Sequence, residues 1–127
     1  MPSGIIVGNG AQAKISSHSG WVVGHFMTEA FAHNTDLEIK VWEYSVPPEY
    51  GLKRFGGTEF IIVERGALRL EVIPPGEKEP RMIDLEGDWR DYTILPPNCQ
   101  KRVIVTRAPA AGLCVRWPSA DGLNQVE

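Results

Sequence analysis

The chain has 127 residues, 43% of them apolar and 23% charged, with a formal net charge of −3. That length suits one domain with one hydrophobic core, expected to run over residues 1–127, and the composition excludes a disordered chain. The acidic balance argues against a nucleic-acid duplex as partner, because a duplex calls for a basic face. It leaves room for a small anion in a locally positive pocket.

No run of about 20 apolar residues occurs, so no membrane-spanning helix is expected. The first residues, Met1-Pro2-Ser3-Gly4, lack the charged and apolar regions of a signal peptide. Cys99 and Cys114 are too few for a disulfide framework and read as reduced thiols. A cytoplasmic location is the expectation.

In chain order, the first strand is expected over residues 21–26. Gly24 inside it marks a bulge or a close approach, and His25 after it faces either a cavity or a partner subunit. Residues 28–33 have room for one helical turn, and helix is otherwise scarce. A second strand over residues 37–46 sets Leu37, Ile39 and Val41 on one face and Glu38, Lys40, Trp42 and Tyr44 on the other. Either face can be the inner one.

Strands are expected over residues 58–64 and 67–73, joined through Arg65-Gly66 as a tight hairpin with glycine at positive φ. Leu68, Leu70 and Val72 alternate there with Arg69 and Glu71. Pro74-Pro75-Gly76-Glu77-Lys78 and Pro96-Pro97-Asn98 read as turns, with further strands over residues 81–85, 92–95, 101–107 and 112–117. With ten prolines and 13 glycines, this pattern means a sandwich or a barrel. No glycine-rich phosphate loop opens a helix, which disfavours nucleotide-binding α/β folds.

The stretch Glu59 to Gly66 matches E-x6-G, and Gly87 followed by Pro96-Pro97-Asn98-Cys99-Gln100-Lys101 matches part of G-x5-P-x-G-x2-H-x3-N. On these residues the chain resembles the cupin superfamily, and within it the small single-domain bacterial cupins. The resemblance implies an all-β, cupin-type double-stranded β-helix, a jelly-roll barrel. Asn98 stands where the motif has glycine, and asparagine tolerates a left-handed backbone best among the other residues. The resemblance also implies a homodimer, with the apolar residues 4–7 able to add to a partner's sheet.

Metal-binding cupins use two histidines and a glutamate from the first motif and a histidine from the second. Here the first two slots hold Lys53 and Phe55, or Leu52 and Arg54 with a longer gap, and the last holds Lys101. Only Glu59 remains. Lysine and arginine offer a metal no lone pair, and His18, His25 and His33 match no ligand spacing. No metal and no cofactor are expected.

Lys101 shares a face with Val103 and Val105, and Glu59 with Ile61 and Val63, so both charges are expected inside, paired with one another. The candidate ligand-binding residues are Trp42, Tyr44, Lys53, Arg54, Glu59, Lys101 and His25, with no catalytic residue assigned. The expected function is metal-free binding of a small anionic or polar metabolite by a sensor, carrier or sequestering protein. The alternatives are a metal-independent isomerase or epimerase, with Glu59 and Lys101 moving a proton, and a structural barrel with a filled interior.

Overall fold

The computed structural model describes residues 5–45 and 51–126, the last two by their backbone alone. The elements in chain order are α1 (Gly10–Ile15), β1 (Trp21–Val23), β2 (Glu38–Tyr44), β3 (Lys53–Phe55), β4 (Thr58–Ile73), β5 (Arg81–Glu86), a 3-10 turn (Gly87–Trp89), β6 (Tyr92–Leu95), β7 (Cys99–Trp117) and β8 (Asn124–Val126). All eight strands belong to one antiparallel sheet.

Two long strands organise it. β4 and β7 pair from Thr58↔Trp117 to Ile73↔Gln100. The other edge of β4 carries β6 along Glu59–Ile62 and β5 along Ala67–Val72. The other edge of β7 carries β3 and β2. The expected hairpin at Arg65-Gly66 is therefore not one. β4 runs through Gly66, whose φ of 72° serves a bulge in the β4–β7 ladder. A Cβ there would meet the carbonyl oxygens of Arg107 and Pro109 at 2.4 Å, so the two backbones touch at this corner. The strands expected over residues 101–107 and 112–117 are likewise one strand.

The bulge resets which residues point inward. Before it Glu59, Ile61 and Val63 are buried, and after it Leu68, Leu70 and Val72 are. An extra residue in a period-two strand exchanges the faces. β7 makes the same exchange, from Val105 to Ala110 and Cys114. These residues, with Leu85, Leu95 and Trp42, form the core. Each fully buried Leu or Val contributes roughly 1.5–3 kcal/mol.

Smaller expectations also changed. β1 stops at Val23, because Gly24 leaves the ladder to bridge His33. The Phe26 ring lies 2.4 Å from where a Gly24 Cβ would be. Residues 28–33 form a single turn closed by the His33 amide on the Glu29 carbonyl at 2.9 Å. α1 was not expected; it is short, and the Asn9 side chain caps it by accepting from the Gln12 amide at 2.9 Å. β3 and β8 were also missed, and β2 ends at Tyr44 while Val46 lies outside the described residues. Asn98 takes φ of 66°, as the turn reading required. Ile5, Ile6 and Val7 are exposed and lie in no strand.

Candidate functional site

The inner face of β2 is the one that carries Glu38, Lys40, Trp42 and Tyr44. Glu38 and Trp42 are 4% and 5% exposed, and Lys40, Trp42 and Tyr44 line a cavity of about 60 Å³. Trp42 lies over Gly112 on β7, where a Cβ would come within 2.6 Å of its ring. Its ring stacks on Tyr44 at 5.5 Å between centroids. β4 adds Glu59, Ile61, Leu68 and Leu70 to the wall, β7 adds Lys101, Val103, Cys114 and Arg116, and Trp21 closes one side.

Glu59 is the charge centre of this cavity and is 3% exposed. Lys101 Nζ donates to Glu59 Oε1 at 2.6 Å, and Arg116 Nε donates to Oε2 at 2.5 Å. The Cys114 thiol donates to Oε2 at 3.1 Å. Burial acts to raise the Glu59 carboxyl pKa, but the charges and hydrogen bonds of Lys101 and Arg116 prevail and hold it at about 2. The carboxylate is thus ionised near neutral pH, and each of its oxygens accepts from a cation. Burial, followed by the Glu59 charge, pushes the Cys114 thiol to about 12.

Arg116 is a hub. Its guanidinium lies 4.5 Å from the Phe55 ring centroid and 4.9 Å from that of Trp21, and its Nη1 donates to Asn124 Oδ1 at 2.7 Å. Phe55, which falls in a histidine slot of the first motif under the shorter of the two gaps, gives this cation an aromatic face. Behind Arg116, at 3.8 Å, stands the Glu38 carboxylate.

Of the residues read from the sequence, the structure brings Trp42, Tyr44, Glu59 and Lys101 together around one cavity. Lys53 and Arg54 lie on β3, in register with Lys101 and Gln100, and are not among the described residues that line it. Lys53 is exposed and Arg54 half-buried. His25 lies elsewhere, in a second recess of about 260 Å³ with His18, Phe26, Glu38 and Asp121, divided from the first by Trp21. Ser119 gives its hydroxyl proton to Glu38 Oε2 at 2.8 Å and accepts from the His25 backbone amide at 2.9 Å, and the His25 Nδ1 lies 2.7 Å from the same hydroxyl. His25 Nε2 is 2.9 Å from Asp121 Oδ1. Ser119 is 2% exposed, and its hydroxyl is committed to that bond.

Lys40, Arg116, Cys114 and Trp21 were missed as site residues. Lys40 had a signal, since it shares a strand face with Trp42 and Tyr44. Arg116 had a weaker one, the parity it shares with Gly112 and Cys114.

The fold this sequence resembles implies a metal, and the donors here do not fit one. The Glu59 oxygens are both taken by cations, no histidine is among the described residues lining this cavity, and the only thiol there is protonated. Among the described residues no three His, Cys, Asp or Glu side chains gather as a ligand set. No described helix is long and apolar enough to cross a membrane.

No family model and no curated protein sequence matches the chain. Solved structures do. Oxalate decarboxylase from Bacillus subtilis superposes with a TM-score of 0.63 at 12% identity, over 73% of this chain and 24% of that one. Oxalate oxidase gives 0.58 at 12% identity, over 72% and 46%. The Drosophila melanogaster CENP-C cupin domain gives 0.51 at 11% identity, over 76% and 67%. The chain spans about a quarter of the length of the decarboxylase it matches. Enzymes and a protein-interaction domain thus share this architecture, and fold alone selects neither. The antiparallel sheet, its closed core and these neighbours agree on one conclusion: the chain has the all-β cupin fold.

Proposed function

We propose that the chain is a metal-independent binding protein for a small organic anion, acting as a sensor, carrier or sequestering protein. One observation carries this reading. The cavity wall holds three cations, Lys40, Lys101 and Arg116, against one carboxylate, Glu59, between the aromatic faces of Trp21, Trp42 and Tyr44. A few polar anchors among apolar and aromatic walls is the general form of a ligand site, and the cation excess calls for an anion. At about 60 Å³ the space holds roughly four to six water-sized volumes. A carboxylate on two to four carbons fits that.

The proton-moving alternative needs Glu59 near neutrality as an acid or base. Its carboxyl is instead held at about 2, which favours the binding reading.

The test is a thermal-shift titration with acetate, lactate and succinate beside the matching amides. Binding to the native state alone adds about 2.7 kcal/mol at one hundred times the Kd. Saturable stabilisation by the acids and none by the amides is the expected result. Equal response to both, or no response to any, overturns the proposal.

A further inference from the structure

Three side chains with nucleophilic chemistry face the cavity, Cys114, Lys101 and Lys40. Cys114 is unavailable. Its thiol donates to Glu59, and with its pKa pushed to about 12 it offers no thiolate near neutral pH. Lys40 is the opposite case. Lys101 and Arg116 each direct one donor at Glu59, and Arg116 directs a second at Asn124, which leaves each with N–H groups for a ligand. Among the described residues Lys40 has no hydrogen bond and no carboxylate. Its Nζ stands 5.8 Å from the Trp21 ring centroid.

The ring face gives the ammonium some support, but burial among other cations outweighs it. Burial lowers its pKa most; Cys114 opposes the shift, and Arg116, Lys101 and Lys53 add to it. Desolvation beside other cations is the general means by which a lysine becomes a nucleophile.

Resting on the reading of this cavity as an anion site, we propose that Lys40 is a covalent site whose ε-amine forms an imine with a small oxo acid. Lys101 and Arg116 receive the carboxylate, and the carbonyl carbon meets the Lys40 nitrogen. The amine nitrogen adds to the carbonyl carbon and gives a carbinolamine. The former carbonyl oxygen then leaves as water with the two protons that the nitrogen has given up. A C=N bond replaces the C=O bond, and no oxidant or reductant takes part. A two- or three-carbon oxo acid, glyoxylate or pyruvate, fits the volume.

The test uses the full chain with pyruvate or glyoxylate, trapped with sodium borohydride and mapped by peptide mass spectrometry. The expected product is one reduced adduct on Lys40, formed ahead of any on the surface lysines Lys14 and Lys78 and suppressed by excess acetate. Lys40→Arg, or Lys40→Met should arginine prevent folding, loses that adduct. Labelling of Lys14 and Lys78 equal to that of Lys40 overturns the proposal. So does no adduct on Lys40 in protein that still shows the acetate-induced thermal shift. Absence of the acetate shift itself sinks the anion reading instead, which separates the two failures.

Discussion

Lys101 Nζ lies 2.6 Å from Glu59 Oε1, forty-two residues away along the chain, in a pair that leaves only 14% of the lysine and 4% of the glutamate side chain accessible. Arg116 takes the other oxygen at 2.5 Å. Glu59 therefore bridges two cations, one of which, Arg116, also has the buried Glu38 carboxylate at 3.8 Å, while a third cation, Lys40, stands on the same wall. This asymmetry makes the two ends of the pair respond differently to substitution.

Glu59→Gln leaves Lys101 buried without its carboxylate and Arg116 with only Glu38, at 3.8 Å. Breaking a buried pair from one side costs about 3–5 kcal/mol, and this variant belongs at the upper end. Lys101→Ala leaves Arg116 on the carboxylate, so its cost is that of one charge-assisted bond, about 1.5–3 kcal/mol. Chemical denaturation of both variants checks the order; a Lys101→Ala loss equal to that of Glu59→Gln would show that Arg116 does not share the charge.

The same Lys101→Ala variant removes a cation from the proposed anion site. Acetate affinity is expected to fall at least about tenfold, a larger fractional loss than the loss of stability. Calorimetric titration of wild type and variant measures it, and unchanged affinity removes Lys101 from the site.

Acid stability follows from Glu59. Its folded pKa of about 2 lies below the ordinary 4.5, so between those values the unfolded chain binds more protons and stability rises with pH. The contribution, about 3 kcal/mol, is complete above pH 4.5 and is lost as pH falls toward 2. Urea unfolding across that window is expected to show the decline in wild type and a flatter profile in Glu59→Gln. Parallel profiles would contradict the pairing.

Cys114 is expected to resist iodoacetamide at pH 8 in folded protein and to react at once in denaturant, because its thiol is held near 12 by burial and Glu59. Mass spectrometry of the labelled peptide reads this directly. Labelling of native protein at the rate of a free thiol would mean that Cys114 does not face Glu59.

Gly112 is where β7 passes beneath Trp42. A Cβ there would lie 2.0 Å from the Ile62 carbonyl oxygen and 2.6 Å from the Trp42 ring, and backbone cannot yield as a flexible side chain does. Gly112→Ala is expected to cost more than about 3 kcal/mol and to displace Trp42. Thermal unfolding and tryptophan fluorescence are the readouts; a wild-type melting curve would refute the close approach.

Much of this was legible in short stretches. The alternation of Leu68, Leu70 and Val72 against Arg69 and Glu71 named the inner face, because a strand's side chains repeat every two residues whatever lies beyond. The same parity put Glu59 and Lys101 inside. It failed at Gly66, where a glycine between two β-rich runs has the same local signature in a hairpin as in a bulge. Only the backbone of Pro109 and Arg107, packed against Gly66, distinguishes them.

What the sequence determined alone was most of the β-rich runs, the inward faces of those around Glu59, Leu68 and Lys101, and the lysine at the last motif position, since these rest on composition and on a local period. What the tertiary structure decided was the company those residues keep. Arg116 reaches Glu59 across 57 residues, and the even face of β2 turns Lys40 inward. His25 goes to a different recess, divided from the cavity by Trp21. Those outcomes follow from two bulged strands changing face opposite one another, and pairing across such separations has no image in any local stretch of sequence.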